Sequence, residues 1–290
     1  MIIGQNREAV IDNIRCAAES GDFYRKVEMG DPVLTDEQSN SITDRYLASR
    51  KTVAFRLKSF VARQMANLVT FWVNRDTEIV GLENMPSLPD GAIITSNHFS
   101  PVENTVIRHL VKQYGQKRLN IVSQVTNLAM PGVIGFLMNY ADVIPLSVSP
   151  HYMQRDFISV LSELLGRGEP VLIYPEQEMW FNYRKPRPPK RGAYHFAAKL
   201  NAPVVSCFVE MVDLDDNDTD RFKKVKYILH VLGVLYSDPN KSVRDNSIAL
   251  AERDYQLKKA AYEQAYGKSL GYDFEREDIA GWLGDMPEVQ

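Results

Sequence analysis

A histidine and a carboxylate five residues apart are the first side chains in this sequence that could perform acid–base chemistry. The stretch AIITSNHFSPVENTV, residues 92–106, has His98 after a short apolar run and Glu103 five positions later. A histidine can take a proton from a hydroxyl near neutral pH, and a carboxylate can orient its ring and stabilise the imidazolium that forms. Residues five positions apart do not lie on one face of a regular helix. The two side chains can meet if His98 lies in the loop before the helix begins.

The same stretch has a second interpretation, as the start of a helix. The sequence Ser100-Pro101-Val102-Glu103 has the pattern of a capping box, with serine at the N-cap, proline at the first helical position and glutamate at the third. On that interpretation Glu103 is a helix cap and His98 is a loop residue. The two interpretations are compatible, although the stretch taken alone favours the structural one.

A second carboxylate follows a second apolar run. In VLIYPEQEMW, residues 171–180, Glu176 comes just after a segment of strand length. A basic segment follows, whose prolines at 186, 188 and 189 exclude a helix. We expect an extended loop beside the site, carrying the side chains of Arg184, Lys185, Arg187, Lys190 and Arg191. The alternative is that these five residues form a solvated surface.

The elements that would position these residues alternate along the chain after residue 76. Short apolar runs such as TEIVG, AIITS, RLNIVS, ADVIPL, PVLIY and APVVSCFVE are separated by helical segments at about 101–114, 127–139, 151–167 and 191–200. This alternation predicts an α/β fold with a central, mostly parallel sheet flanked by helices. We divide the chain into an N-terminal helical layer, residues 1–75, and an α/β domain, residues 76–290. Ligands of such sheets bind at the carboxyl ends of the strands.

Composition excludes several classes of function. A formal net charge of −3 over 290 residues gives no sign of a nucleic-acid partner. The two cysteines, Cys16 and Cys207, fit neither a disulfide framework nor a zinc site, and no cluster has metal-ligand spacing. The N-terminus lacks the apolar core of a signal peptide, and no run of apolar residues approaches 18. We expect a cytoplasmic protein that binds no metal and needs no cofactor.

The order of these motifs resembles the glycerolphosphate and lysophospholipid acyltransferase family, which includes the 1-acylglycerol-3-phosphate acyltransferases. The family's first block, Asn-His, four residues and Asp, is similar to Asn97-His98-Phe99-Ser100-Pro101-Val102-Glu103. Its third block, Phe-Pro-Glu-Gly-Thr-Arg, is similar to Tyr174-Pro175-Glu176-Gln177-Glu178-Met179. The stretch KRGAYHFAAKLNAPVV matches a later family segment, and the resemblance covers roughly residues 77–210.

The resemblance implies transfer of a fatty acyl group from a thioester, on coenzyme A or acyl carrier protein, to a hydroxyl of a lipid-like acceptor. His98 would be the base and Glu103 would stabilise its protonated ring. Glu176 would bind the acceptor's hydroxyls. The remaining residues that we expect to contact substrate are Asn97, Gln177, Arg184, Lys190 and Arg191.

Three departures from the family's blocks bear on the acceptor. The acid of the first block is Glu103 rather than Asp, the glycine of the third block is Gln177, and its phosphate-contacting arginine is Met179. One hypothesis is an acyltransferase whose acceptor is not lysophosphatidic acid and whose 184–191 loop binds an anionic head group. The alternative is a catalytically weak, lipid-binding or regulatory relative.

A helix predicted at about 51–73 is the best candidate for contact with a membrane. Its apolar face includes Phe60, Leu68 and Trp72, and its only ionic side chains are the basic ones of Lys51, Arg56, Lys58 and Arg63. Such a helix can lie in the membrane interface with its basic residues near anionic lipid. We therefore expect a peripheral protein on the inner face of the membrane. The alternative is that the apolar stripe packs on the domain.

Overall fold

A computed structural model describes residues 6–284 of the chain. Within this range eight α-helices and seven β-strands follow one another. The helices are α1 (Arg7–Glu19), α2 (Asp36–Ser49), α3 (Val53–Val73), α4 (Asn104–Gln113), α5 (Gly132–Tyr140), α6 (Phe157–Leu165), α7 (Gly192–Leu200) and α8 (Val243–Tyr266). The strands are β1 (Glu78–Val80), β2 (Ile93–Thr95), β3 (Asn120–Gln124), β4 (Val143–Leu146), β5 (Val171–Leu172), β6 (Val204–Thr219) and β7 (Phe222–Leu235).

All seven strands belong to one sheet, in the order β1-β7-β6-β2-β5-β3-β4. Neighbouring strands pair in parallel except β6 and β7, which form a long antiparallel hairpin. The predicted fold class, a mostly parallel sheet flanked by helices with an N-terminal helical layer, is confirmed. The chain alternates strand and helix between β2 and β6 because a parallel neighbour requires a crossover connection.

Alternate side chains of the central strands enter two hydrophobic cores, one on each side of the sheet. Ile93 and Val171 face a core that includes Phe157 of α6 and Ala197 of α7. Their sequence neighbours Ile94 and Leu172 face a second core, built with Val106, Ile107, Leu110 and Val111 of α4. Because both faces are covered, the central strands are apolar at successive positions instead of alternating with polar residues.

The N-terminal helices contact the α/β body at two different places. Helix α1 packs through Ile11 and Ile14 against Trp180 and Phe181, which lie in the segment after β5. Helix α3 instead lies beside α4 and α5, and the Arg63 guanidinium donates two hydrogen bonds, of 2.8 and 2.9 Å, to the Asp142 carboxylate before β4.

A buried polar network joins α8 to the end of β2. The Asp254 carboxylate accepts hydrogen bonds from Lys258 Nζ at 2.6 Å, from Thr95 Oγ1 at 3.0 Å and from the Tyr194 hydroxyl. Lys258 Nζ also donates to Thr95 Oγ1, and all four residues are buried. Thr95 is the last residue of β2, so this network fixes the strand end three residues before His98.

Replacing Asp254 by Asn should lower the free energy of unfolding by about 3–5 kcal/mol, because the Lys258 ammonium would keep its burial and lose its counter-charge. Urea unfolding measures this loss. Glu252→Gln, at an exposed carboxylate of the same helix, is the control and should change stability by less than about 0.5 kcal/mol. Equal stability of the two variants would show that the network contributes no net stabilisation.

Candidate active site

The two predicted motifs come together at the carboxyl edge of the sheet. His98 lies in the loop after β2 and Glu176 in the loop after β5, and these strands are parallel neighbours with Ile93 paired to Val171. Glu176 Oε2 accepts a hydrogen bond of 3.3 Å from the backbone N–H of His98. The pairing of β2 with β5 thus brings together His98 and Glu176, which are 78 residues apart in sequence.

Glu103 contacts the histidine ring and the backbone at once. One carboxylate oxygen, Oε1, is hydrogen-bonded to His98 Nδ1. The other, Oε2, accepts from the backbone N–H of Phe99 and, at 2.7 Å, from that of Ser100. The side chain of Glu103 is only 3% exposed, whereas that of His98 is 20% exposed. Glu103 therefore contacts the ring, as the first interpretation requires, and also binds the backbone before the helix, as the second requires. The catalytic role of the pair stays a prediction.

The start of α4 differs from the capping box expected at Ser100. The helix begins at Asn104, and the preceding turn is closed by bonds from Glu103 N to Ser100 O (3.2 Å) and from Thr105 N to Val102 O (3.0 Å). Ser100 Oγ accepts from Val102 N rather than from the N–H of Glu103. Only the glutamate half of the box forms, because the backbone carbonyl of Ser100 takes the Glu103 N–H.

The arrangement leaves one ring nitrogen of His98 available as a base. A carboxylate accepts but cannot donate, so the contact with Glu103 places the proton of a neutral ring on Nδ1 and leaves Nε2 unprotonated. Nε2 is therefore the atom that would receive a proton, and the buried carboxylate would stabilise the resulting imidazolium. The ring also stacks on Tyr174, with centroids 4.2 Å apart and planes inclined by 6°. Sequence reasoning identified Tyr174 only as the first residue of the third block.

Glu176 is buried in an ion pair with Arg187. The Arg187 backbone N–H and Nε each donate to the carboxylate at 3.1 Å, and Nη2 lies 2.9 Å from Oε2. Arg187 Nη1 donates to the Phe23 carbonyl, and the guanidinium lies 4.4 Å from the ring centroid of Trp180. Burial lowers the pKa of Arg187, and the Glu176 charge opposes that shift. The acceptor-binding role of Glu176 stays a prediction, since both its oxygens bind groups of the protein itself.

Asn97 connects the site loop to β6. Its side chain donates to the Val209 carbonyl at 3.0 Å and accepts from the Val209 N–H at 2.8 Å. The side-chain amide thus continues the contact of β2 with β6 two residues beyond Thr95 and fixes the backbone just before His98. Its predicted contact with substrate also stays a prediction.

The basic segment divides into paired and exposed residues. Lys185 is buried against Asp278, with Nζ 2.7 Å from the carboxylate, and Arg187 is buried as described. Arg184 is hydrogen-bonded to the Asp213 carboxylate. Lys190 and Arg191 are exposed, and the Lys190 ammonium lies 3.6 Å from the centroid of the Tyr24 ring. Of the five basic residues expected in an extended loop beside the site, Lys185 and Arg187 are instead buried in ion pairs within the protein, which also differs from the alternative of a solvated surface.

Gln177, at the position of the glycine in the family's third block, has a backbone conformation that glycine favours. Gln177 has a φ of 66°, in the left-handed region, and its side chain is exposed. Met179, at the position of the family's arginine, is half-buried. Among the described residues no group of three or more His, Cys, Asp or Glu could hold a metal ion.

Comparison with known proteins agrees with the resemblance of the two blocks. A family model described as Acyltransferase matches residues 76–210. This segment belongs to the acyltransferase family. Over 146 residues the chain is 31% identical to the chloroplastic 1-acyl-sn-glycerol-3-phosphate acyltransferase BAT2 of Brassica napus and 30% identical to LPAT1 of Arabidopsis thaliana. These alignments cover 50% of this chain and 40% and 39% of the two relatives.

The fold has a counterpart of similar extent. The crystal structure of the 1-acyl-sn-glycerophosphate (LPA) acyltransferase PlsC from Thermotoga maritima superposes with a TM-score of 0.51 at 14% identity. The match covers 91% of this chain and 98% of that one. The acyltransferase-like fold therefore includes elements outside residues 76–210, among them helices before β1 and the segment after β6.

Glu103→Gln should lower turnover by about 10,000-fold, which is the effect of the corresponding Asp-to-Asn change in a Ser-His-Asp triad. The amide oxygen can still accept from Phe99 and Ser100, but the amide NH₂ would face Nδ1 and favour the tautomer with its proton on Nε2. Steady-state acyl transfer measures turnover, and the melting temperature reports the fold.

Glu210→Gln is the matched control, because Glu210 also bonds a histidine, with 2.7 Å to His230 Nε2, across the β6–β7 hairpin. It should leave turnover within about twofold of wild type. Unchanged turnover of Glu103→Gln, with an active wild type, would contradict the role of Glu103 as the partner of a catalytic base.

Proposed function

We propose that this protein is an O-acyltransferase that moves a fatty acyl group from a thioester to a hydroxyl of a lipid-like acceptor. The observation that carries the proposal is the contact of His98 Nδ1 with the buried Glu103 carboxylate, in a segment that belongs to the acyltransferase family. The donor carries its acyl group on coenzyme A or on acyl carrier protein, as a co-substrate. The chain spans about two fifths of the length of its curated plant relatives.

The reaction follows from the position of the free ring nitrogen. His98 Nε2 takes the proton of the acceptor hydroxyl as the oxygen attacks the thioester carbonyl, and Glu103 stabilises the imidazolium. The tetrahedral intermediate then collapses with loss of the thiolate, and the imidazolium returns its proton to the sulfur. The products are an ester and a free thiol, and His98 is again neutral.

The second candidate is a catalytically weak, lipid-binding or regulatory relative. The changed third block favours it, since Gln177 and Met179 replace the family's glycine and arginine and Glu176 is paired with Arg187. An assay of both thioester donors across a panel of lyso-lipids and other hydroxyl acceptors separates the two candidates. Turnover that is abolished by His98→Ala supports the acyltransferase. Lipid binding without turnover of any donor–acceptor pair supports the catalytically weak relative.

We expect recognition of the acceptor to depend little on whether it carries a phosphate monoester. Met179 stands where the family has a phosphate-contacting arginine, and Arg187 is neutralised by Glu176. Lys190 and Arg191 are exposed basic residues close to this site. The backbone N–H of Lys190 donates to the carbonyl of Pro175, the residue before Glu176. We propose that Lys190 and Arg191 interact with the polar head of the acceptor.

Lysophosphatidic acid and a neutral lyso-lipid should differ in kcat/KM by less than about tenfold. A hydrogen-bonded charge pair with the phosphate would contribute about 1.5–3 kcal/mol, which is tenfold or more, and we expect this pair to be missing. Direct competition between the two acceptors measures the ratio. A preference for lysophosphatidic acid well above tenfold would contradict the expectation. In that case the variants Lys190→Gln and Arg191→Gln test the source of the preference, with Lys199→Gln, at an exposed position of α7, as the control. Loss of the preference in the first two variants but not in the control would show that Lys190 and Arg191 replace the missing arginine.

We propose further that α3 attaches the protein to a membrane surface. Its large apolar residues Leu57, Phe60, Leu68, Phe71 and Trp72 are each more than half exposed, as are Val133 and Ile134 of the adjacent α5. Within residues 6–284 no helix is long and apolar enough to cross a bilayer. An exposed apolar face of this extent on one long helix is typical of a helix that lies in the membrane interface.

The basic residues of α3 differ in their availability to lipid. Arg56 and Lys58 are exposed, with Lys58 beside the ring of Tyr140. Arg63 is already bonded to Asp142 within the protein. We therefore assign the attraction to anionic lipid to Arg56 and Lys58, with Lys51 at the start of the helix. A peripheral position on the inner, cytoplasmic face of the membrane fits this proposal.

Replacing Phe71 and Trp72 together by Ser should weaken binding to both anionic and neutral vesicles by at least about tenfold, because apolar area would no longer be buried. Replacing Arg56 and Lys58 together by Gln should weaken binding to anionic vesicles by about 30-fold and reduce its salt dependence, at about 1 kcal/mol per basic residue. Vesicle co-sedimentation measures both effects.

Tyr236→Ser is the control, because Tyr236 is an exposed aromatic residue after β7. It should leave binding unchanged. If both double variants sediment with vesicles as wild type does, α3 is not the attachment, and the exposed Lys190 and Arg191 become the next candidates.

A further inference from the structure

We infer that Tyr174 is a positioning residue of the reaction, whose aromatic ring fixes the His98 imidazole and stabilises it in its protonated state. This inference rests on the proposed function, since it concerns the base of acyl transfer. Its observation is the parallel stack of the two rings, 4.2 Å between centroids and 6° between planes. Tyr174 precedes Pro175 in the loop after β5, so it approaches His98 from the neighbouring strand.

The stack and the carboxylate restrain the imidazole in different directions. Glu103 bonds Nδ1 in the plane of the ring and so fixes its rotation about χ2. Tyr174 covers one face and so prevents the ring from tilting out of that plane. One face and the Nε2 edge then remain for the acceptor, in agreement with a His98 side chain that is 20% exposed. A base held in this way keeps Nε2 in the orientation that proton transfer requires.

The aromatic face also acts on charge. The quadrupole of an aromatic ring attracts a cation placed over its face within about 6 Å of the centroid. The imidazolium that forms during the reaction lies at that place, whereas the neutral imidazole carries no net charge. The ring therefore favours the protonated state, in which His98 exists while the tetrahedral intermediate is present. An aliphatic side chain of similar size would bury the same face without this attraction.

The hydroxyl of Tyr174 is not required by this role. Burial and, secondarily, the charge of Glu103 raise the pKa of Tyr174 well above its ordinary value, so the phenol stays neutral at any assay pH. The family to which the segment is similar has phenylalanine at this position of its third block. Tyr174→Phe is thus a matched variant that keeps the ring and removes only the hydroxyl.

Other charged groups face this part of the site and must stay unchanged in the test. Glu103 bonds the ring and Glu176 bonds the His98 backbone. The N-terminal segment contributes Glu28, which is paired with Arg7 and lies within electrostatic reach of His98. The positive charge of the buried Arg108 of α4 acts on Tyr174, and the charge of Arg187 interacts with that of Glu103. Because none of these is altered in a Tyr174 variant, a change in titration reports the loss of the aromatic ring.

The experiment compares wild type with Tyr174→Phe, Tyr174→Leu and Tyr174→Met. Two-dimensional NMR of histidine-labelled protein, with His98→Ala to assign the signal, follows the His98 ring from pH 4.5 to 9 without substrate. The same variants are assayed for acyl transfer over this range. The NMR titration needs no acceptor or donor, so it tests the contact even if the proposed activity fails.

The titration midpoint of His98 should move to lower pH by about half a unit in Tyr174→Leu and stay within about 0.2 units in Tyr174→Phe. The acid limb of the kcat profile should move in the same direction, because a ring that is less easily protonated becomes the active base at lower pH. We expect kcat of Tyr174→Leu to fall by about tenfold with little change in KM for the thioester.

Tyr174→Met serves if the leucine variant does not fold, since its flexible side chain fills an irregular space more readily. An unchanged midpoint in a folded Leu or Met variant would overturn the inference, as would a shift of equal size in Tyr174→Phe. A shifted midpoint in a protein without acyl transfer would leave the ring contact established and contradict the proposed function instead.

Discussion

The site depends on the buried carboxylate of Glu103. A buried charge is costly unless its hydrogen-bonding capacity is used, and Glu103 meets this demand with one histidine ring and two backbone N–H groups. The same three bonds fix the loop between β2 and α4, so the orientation of the His98 ring and the local fold have one cause. The backbone turn that begins α4 and the orientation of His98 therefore cannot be changed independently.

A second buried pair extends this constraint to distant parts of the chain. Arg187 holds Glu176, whose carboxylate bonds the His98 backbone, and Arg187 also bonds the Phe23 carbonyl before α2. Trp180, under the guanidinium, packs with α1 and donates its Nε1–H to the Arg25 carbonyl at 3.0 Å. The N-terminal segment thus supports the loop of the third block from outside. Segments beyond residues 76–210 contribute to the rigidity of the site.

The carboxyl end of β2 is held by contacts with β6 and with α8. Asn97 bonds the Val209 backbone of β6, and Asp254 and Lys258 of α8 bond Thr95. A strand of three residues provides few backbone hydrogen bonds of its own, so these side chains compensate for its short length. They also explain why polar residues lie in the centre of this fold, since each has its hydrogen-bonding partners there. Precise placement of a base requires supports of this kind.

The sequence alone determined the order of helices and strands, the mostly parallel sheet and the two blocks with His98, Glu103 and Glu176, because periodicity and local motifs are properties of neighbouring residues. The tertiary structure decided which charges remained free. Arg187 and Lys185 look like the exposed Lys190 and Arg191 in sequence, yet the first two are buried in ion pairs with Glu176 and Asp278. Such pairing, like the stack of Tyr174 on His98, depends on residues brought together by strand neighbours and helix packing, and no local pattern encodes that proximity.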